Sequence, residues 1–235
     1  MNNLAIIPAR CGSKGLKDKN IKLLCGVPLL VYSNKAALDS GEFDKVMVST
    51  DSLLYSQIAK ENGAEVPFLR DETNSSDTAS SWDVVREVLS KYIDMGIEFE
   101  TVALLQPTSP LRTYEDICNA YELYYEKSAG AIVSVCESEH SPLWCNKLPE
   151  SLCMNGFLNN ETMRQRQQLD KYYRLNGSIY IVDVKRFLNS GIIYDSHCFA
   201  YVMPKERSVD IDSELDFLIA ETIINYSGSS ENYGK

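Results

Sequence analysis

The densest chemistry in the chain lies in its first twenty residues. Leu4 to Ile7 is a short apolar run of strand character that breaks at Pro8 into a loop carrying Arg10, Gly12, Lys14, Gly15, Lys17 and Lys19. Two glycines let the backbone turn tightly and offer N–H groups to an anion, and four cations add charge-assisted hydrogen bonds. A strand running into such a loop has the outline of a phosphate cradle; a solvated basic loop has the same composition. Neither Gly-x-x-x-x-Gly-Lys-Ser/Thr nor Gly-x-Gly-x-x-Gly is present, which excludes a Walker A loop and a dinucleotide fingerprint. Far along the chain, Asp210 and Asp212 stand two apart before a helical pattern, so on extended backbone both carboxylates face one way. That suits Mg²⁺, which takes one or two carboxylates together with phosphates and water. The other reading has Asp212 capping the helix while Asp210 is solvated.

Alternating strands and helices are available to position these groups. Pro28 to Ser40 reads as a helix closed by Gly41, and Lys45 to Thr50 as a strand. Asp51 is placed to cap a helix running towards Asn62-Gly63, and Val66 to Leu69 reads as a short strand. Trp82, Val85, Leu89 and Tyr92 share a helical face, Thr101 to Leu105 is a buried strand, Thr113 and Asp116 make a capping box, and Ala131 to Val135 is a strand. The alternation predicts an α/β fold with three α/β/α layers and a mostly parallel sheet. Its polar loops fall at Pro8 to Asn20, Ser49 to Ser52 and Gln106 to Arg112, at strand C-termini where such sheets place ligands.

The pattern fails across residues 137–174, which hold Pro142, Trp144, Pro149, the turn pair Asn155-Gly156 and a polar run from Glu161 to Asp170. This segment reads as an arm that leaves the sheet and packs on a second subunit. Strand character returns at Ser178 to Val182 and Phe199 to Met203. A last helix after Ser213 carries Leu215, Leu218, Ile219 and Ile223, followed by a polar tail after Ser227. The expectation is one domain over residues 1–235 with the arm inserted at 137–174.

Bulk composition narrows the function. The chain has 235 residues, 44% of them hydrophobic, and a formal net charge of −10. Such acidity disfavours broad binding to nucleic acid or anionic membranes, while a local cationic site for a small phosphorylated ligand remains open. Seven cysteines, none in Cys-x-x-Cys, predict reduced thiols and a cytoplasmic setting. No apolar run is long enough to span a membrane. Cys11 lies in the cradle with no histidine near it, so a small tolerated residue is favoured over a nucleophile. His140 and His197 sit in no motif that needs a histidine base.

The stretch Pro8-Ala9-Arg10-Cys11-Gly12-Ser13-Lys14-Gly15-Leu16-Lys17-Asp18-Lys19-Asn20 resembles the opening motif of the CMP-sialic acid synthetases, the N-acylneuraminate cytidylyltransferases. Further resemblances lie at Arg70, at Asp77-Thr78-Ala79-Ser80-Ser81, at Gln106-Pro107-Thr108-Ser109-Pro110-Leu111-Arg112, at Arg164-Gln165-Arg166-Gln167, at Arg174-x-Asn176-Gly177-Ser178-Ile179-Tyr180 and at Asp210-Ile211-Asp212-Ser213-Glu214-Leu215-Asp216. The resemblance implies a nucleotide-diphospho-sugar transferase-like fold with a dimerisation arm, and a homodimer that uses CTP and a nine-carbon keto sugar acid. It implies CTP contacts at Ala9, Arg10, Ser13, Lys14, Lys19, Asn20, Arg70, Ala79 and Ser81. It implies sugar contacts at Gln106, Thr108, Ser109, Arg166, Asn176 and Tyr180, and Mg²⁺, or Mn²⁺, on Asp210 and Asp212. Arg10, Lys19, Asp210 and Asp212 would carry the catalysis.

Read without the resemblance, Arg70 is a surface cation and Tyr180 a packed strand tyrosine. The chain departs from the pattern on the sugar side. Trp144 stands near where some relatives place a lysine, with Lys147 the nearest substitute, and Ile193 and Tyr194 stand where some carry a phenylalanine pair. Legionaminic, pseudaminic or Kdo-type acids therefore remain alternative acceptors, and a non-catalytic nucleotide-binding module is the rival of a different class.

Overall fold

A computed structural model describes residues 2–12, 15–71, 74, 80–158 and 170–230. The strand β1 (Asn3–Pro8) is flanked by β4 (Lys45–Ser49) and β5 (Thr101–Leu104), both parallel to it. Next comes β7 (Tyr173–Asp183), antiparallel to both β5 and β6 (Ala131–Glu137), and β8 (Cys198–Val202) closes the edge parallel to β6. The six-stranded order is β4-β1-β5-β7-β6-β8, with β7 alone reversed, so the sheet is mostly parallel as expected.

Alternate residues of each strand feed two cores, as the period of two requires. Ala5, Ile7, Val46, Val48, Ala103, Ile132 and Ile181 pack with α1 (Leu29–Ser40), α2 (Leu53–Glu61) and α4 (Tyr114–Glu126). Leu4, Ile6, Met47, Val102, Leu104, Val133 and Val182 pack on the other face with α3 (Ser81–Asp94) and α5 (Val184–Ser190). This is the three-layer arrangement. A third cluster seats α6 (Glu214–Ser230) through Phe217 and Ala220 against Leu24 and Leu29.

Several local expectations change. Ser52, not Asp51, caps α2 by accepting the Tyr55 N–H at 3.4 Å, because Asp51 is drawn to Cys11. Val66 to Leu69 is no strand: Glu65 makes one bridge to Met47, and the chain then rejoins β4 through Arg70 N–H to the Thr50 carbonyl at 2.8 Å. Ser213, not Asp212, caps α6: its hydroxyl accepts the Asp216 N–H at 3.3 Å while the Asp216 carboxylate accepts the Ser213 N–H at 2.8 Å. Leu215, Leu218 and Ile219 of α6 face outward, and the helix continues past Ser227. Helix α5 and the two-residue hairpin β2 (Leu23–Leu24) and β3 (Val27–Pro28) were too short to show a period. Among the described residues no helix is long and apolar enough to cross a membrane.

Within the expected arm, residues 138–158 hold one 3₁₀ turn, Pro142–Trp144, and a turn at Asn155-Gly156 closed by Phe157 N–H to the Met154 carbonyl at 3.0 Å. Leu143, Leu148, Leu152 and Met154 are exposed there.

Candidate active site

The loop after β1 is tied to the end of β4. Ala9 N–H donates to the Ser49 carbonyl at 2.9 Å. The Asp51 carboxylate accepts both the Cys11 N–H, at 2.8 Å, and the Cys11 thiol, at 3.1 Å. The thiol's hydrogen bond to Asp51 pushes its pKa up, and burial and the Asp51 charge add to the shift. Asn20, buried, donates to the Arg10 carbonyl at 2.9 Å and so closes the loop on itself. Ser13 and Lys14 lie outside the described residues.

Lys19 crosses to the far end of the chain. Its ammonium donates to the Ile211 carbonyl at 2.6 Å and to Asp212 Oδ1 at 3.1 Å. Gly15 explains how the loop comes so close: a Cβ there would sit 2.8 Å from the Asp212 carbonyl oxygen, so only glycine fits. Because Ser213 and Asp216 make the cap, the Asp212 carboxylate has no helix-capping duty, and its side chain is 78% exposed. Asp210 is different. Burial pushes its carboxyl up, the Thr108 hydroxyl pulls it back, the Asp212 charge raises it, and Lys19 and Arg174 lower it. Its Oδ1 is buried with no hydrogen-bond partner among the described residues. A buried carboxylate oxygen left unpaired is costly, and a cation is the group that would satisfy it. Two hard carboxylates, one with an orphaned oxygen, fit Mg²⁺. No group of three or more His, Cys, Asp or Glu among the described residues could enclose a metal, which leaves the other positions to phosphate and water.

Arg70 is buried, which removes the surface-cation reading. Its Nε donates to Ser49 Oγ at 3.1 Å and its Nη2 to the Ser49 carbonyl at 2.5 Å, and burial pulls its pKa down to about 10. It thus stands at the end of β4 beside Asp51. Ser81 opens α3 behind a Ser80–Asp83 capping box, and Ala79 lies outside the described residues.

The Gln106 to Arg112 loop follows β5. Arg112, buried, is its strut: Nη1 donates to the Ser178 carbonyl at 2.7 Å and Nη2 to Ser33 Oγ at 2.5 Å. Ser109 is buried and donates to the Asn176 carbonyl at 3.5 Å, while the Thr108 carbonyl accepts the Ile211 N–H at 2.8 Å. That last bond carries the loop to Asp210 and Asp212. Asn176 does not offer itself to an acceptor as expected. Its Nδ2 donates to Ser208 Oγ at 2.9 Å and Met203 Sδ at 3.2 Å, and its Oδ1 accepts from Ser134 Oγ at 2.6 Å and Ser178 N at 3.3 Å. With both amide hydrogens and its oxygen engaged, it shapes β7 instead. Tyr180 is half-buried, edge-on to Trp82 at 5.7 Å between ring centroids, in one cluster with Ile193. Arg166 lies outside the described residues.

Sequence reasoning gives no site role to Asp51, Ser134, Gly177 or the Arg174–Glu139 pair, although Asp51 reads as a helix cap and Arg174 and Gly177 lie in one of the resembling motifs. Arg174 holds Glu139 at 3.0 Å beside Asp210 and keeps the Glu139 carboxyl down at about 2. The signal for Gly177 was present in the Asn-Gly pair inside a strand pattern.

A sequence model of the cytidylyltransferase family matches residues 4–152. The CMP-N,N'-diacetyllegionaminic acid synthase of Legionella pneumophila is 35% identical over 229 residues, which are 95% of this chain and 97% of the relative. The chain belongs to the cytidylyltransferase family. Within that family, the N-acylneuraminate cytidylyltransferase of Escherichia coli O18:K1:H7 is 39% identical over 94% of this chain but only 51% of its own length. The chain therefore spans about half the length of that relative and of the similar Streptococcus agalactiae enzymes. The pseudaminic acid cytidylyltransferase of Campylobacter jejuni is 32% identical and is covered over 99% of its length. The fold agrees with a solved CMP:2-keto-3-deoxy-manno-octonic acid synthetase at a TM-score of 0.70 and 14% identity, covering 97% of this chain and all of that one. It also agrees with the 4-diphosphocytidyl-2C-methyl-D-erythritol synthase of Anaerococcus prevotii at 0.65 and 13% identity, over 95% of this chain and 98% of that one.

Proposed function

We propose that the protein transfers CMP from CTP to the anomeric hydroxyl of a sialic-acid-like nine-carbon keto sugar acid. The anomeric hydroxyl oxygen attacks the α-phosphorus and gives up its proton to water, the bond from that phosphorus to the β-phosphate bridging oxygen breaks, and pyrophosphate leaves. The observation that carries this reading is the meeting of Lys19 with Asp212, beside an Asp210 whose buried Oδ1 lacks a partner among the described residues. Arg10, Lys14 and Lys19 hold the triphosphate, together with backbone N–H groups of the loop after β1. Ser13 and Asn20 are further contacts of the phosphates, and Ala9, Arg70, Ala79 and Ser81 complete the contacts to CTP. Asp210 and Asp212 would hold Mg²⁺, which would supply charge neutralisation at the phosphates. The protein's share is positioning and a fixed electrostatic field, as in phosphoryl transfer generally.

Gln106, Thr108, Ser109 and Tyr180 border the acceptor, and Arg166 of residues 137–174 reaches the site of a second subunit in a cytoplasmic homodimer. The exposed Leu143, Leu148, Leu152 and Met154 support that arm as an interface. Mixing Arg166→Ala with Lys19→Ala chains should restore activity, since one site of each hybrid is intact. Hybrids that form yet stay inactive would refute the shared site.

A second acceptor reading has its own support: the legionaminic and pseudaminic relatives are matched nearly end to end, and the sialic acid relatives over half their length. The deciding experiment is pyrophosphate release from CTP with N-acetylneuraminic, legionaminic, pseudaminic and Kdo acids. Tight CTP binding without release on any acceptor would leave a nucleotide-binding module.

A further inference from the structure

The strand β7 is not regular where it passes the site. Val133 of β6 pairs with Tyr180, but Val135 pairs with Leu175, so one residue of β6 faces a four-residue bulge at 176–179. Bulges of this kind re-aim groups beside functional sites. This one is built from buried polar groups. Ser134, the residue opposite, donates to Asn176 Oδ1 at 2.6 Å and accepts the Ile179 N–H at 2.7 Å. Ser208 takes the Asn176 amide at 2.9 Å from the other side. Ser134, Asn176, Ser178 and Ser208 are all buried, so the bulge is held in one shape.

At its apex stands Gly177, with φ +72°. A Cβ at this position would lie 2.7 Å from Gln106 Oε1 and 3.9 Å from Asp210 Oδ2. The Gln106 carboxamide therefore lies across the glycine, on the side where Asp210 stands. We propose that Gly177 is a specificity-determining residue for the acceptor. Its missing side chain lets a neutral amide and a carboxylate share one small polar pocket, and Ser134 is the positioning residue that holds the apex there. The ligand such a pocket takes is a polyhydroxylated group whose hydroxyls both donate and accept. This inference rests on the reaction proposed above and adds the element that sets the acceptor side apart from the nucleotide side.

The test compares Gly177→Ala, Gln106→Ala and the double variant, with CTP binding measured by calorimetry and acceptor KM by pyrophosphate release. Gly177→Ala should raise the acceptor KM at least about 10-fold and leave CTP affinity within about 3-fold. In the Gln106→Ala background the same change should raise acceptor KM by a clearly smaller factor, because the collision is gone and only the strain of a side chain at φ +72° remains. Ser134→Ala adds no atom at the apex; it should also raise acceptor KM and spare CTP affinity, and it serves where Gly177→Ala fails to fold. Additive effects, or CTP affinity falling in step with acceptor KM, would overturn the role of Gly177 while the reaction stands. Wild-type protein that turns over no acceptor would overturn the reaction and this inference together.

Discussion

Asp212→Asn separates metal holding from helix building. Asn caps a helix about as well as Asp, so the capping alternative predicts that Asp212→Asn keeps both its stability and its turnover, and the cap in any case belongs to Ser213 and Asp216. Among the described residues Asp212 makes one ion pair, with Lys19 at 3.1 Å, and its side chain is 78% exposed. Such pairs contribute about 0.2–1 kcal/mol, which in a chain of this size lowers Tm by only about 1–3 °C. Ser213→Ala, which removes a true cap, should cost about 1 kcal/mol and lower Tm by about 2–4 °C while keeping most turnover. For Asp212→Asn the expected loss is in rate. A carboxylate acting on developing phosphate charge through Mg²⁺ is worth about two orders of magnitude, or ~2.7 kcal/mol. The assay is pyrophosphate release across a Mg²⁺ titration, with Tm measured on the same samples. Asp212→Asn should recover part of its turnover at high Mg²⁺. Near-normal turnover at low Mg²⁺ would refute the metal assignment, and a Tm left unchanged by Ser213→Ala would refute the capping assignment.

Other outcomes follow from the same geometry. Glu139 is held down from 4.5 to about 2 by Arg174, so its stabilisation is present above pH 4.5 and fades as pH falls towards 2. The pair is about half exposed, so Glu139→Gln should lower Tm at neutral pH by only about 1–3 °C, and melting curves of the two proteins should converge near pH 2. Arg112→Lys keeps the charge but cannot reach Ser33 and the Ser178 carbonyl with one fork. It should cost about 1–3 kcal/mol, seen as a Tm loss of about 2–12 °C; an unchanged Tm would mean that the fork is not what holds the Gln106 to Arg112 loop. Cys11 should react with iodoacetamide more slowly than exposed Cys145 and Cys153, because Asp51 holds its proton. Asp51→Asn should speed that reaction, as read by peptide mass spectrometry, and an unchanged rate would show that the hydrogen bond does not control the thiol.

Much of the frame was legible because its signals are local. Thr113 and Asp116 form the capping box that their spacing suggested, and the apolar runs at Leu4, Thr101 and Ala131 are the buried strands of a sheet covered on both faces. Where reading failed, a partner distant in sequence decided the outcome. Asp51 looked like a helix cap until Cys11, forty residues earlier, claimed its carboxylate. Asn176 is an acceptor contact by the resemblance alone, yet Ser134 and Ser208, from other parts of the chain, satisfy it in the core. Val66 to Leu69 had strand composition, but the chain turns away there and Arg70 folds inward onto Ser49. The reversal of β7 left no trace in local pattern, since a buried strand reads the same in either direction.

The bond from Lys19 to Asp212 joins residues 193 positions apart. During synthesis, the loop after β1 emerges long before the Ile211 carbonyl and the Asp212 carboxylate that anchor its lysine. A growing chain therefore cannot assemble this centre until α6 is at hand, and nucleotide cannot reward a partial fold. Once assembled, the centre works as a clasp between two segments distant in sequence. Any ligand bound there favours the closed clasp by mass action. Proteolytic cutting before α6 should accordingly slow as CTP is added, which makes digestion rate a measure of occupancy that needs no acceptor.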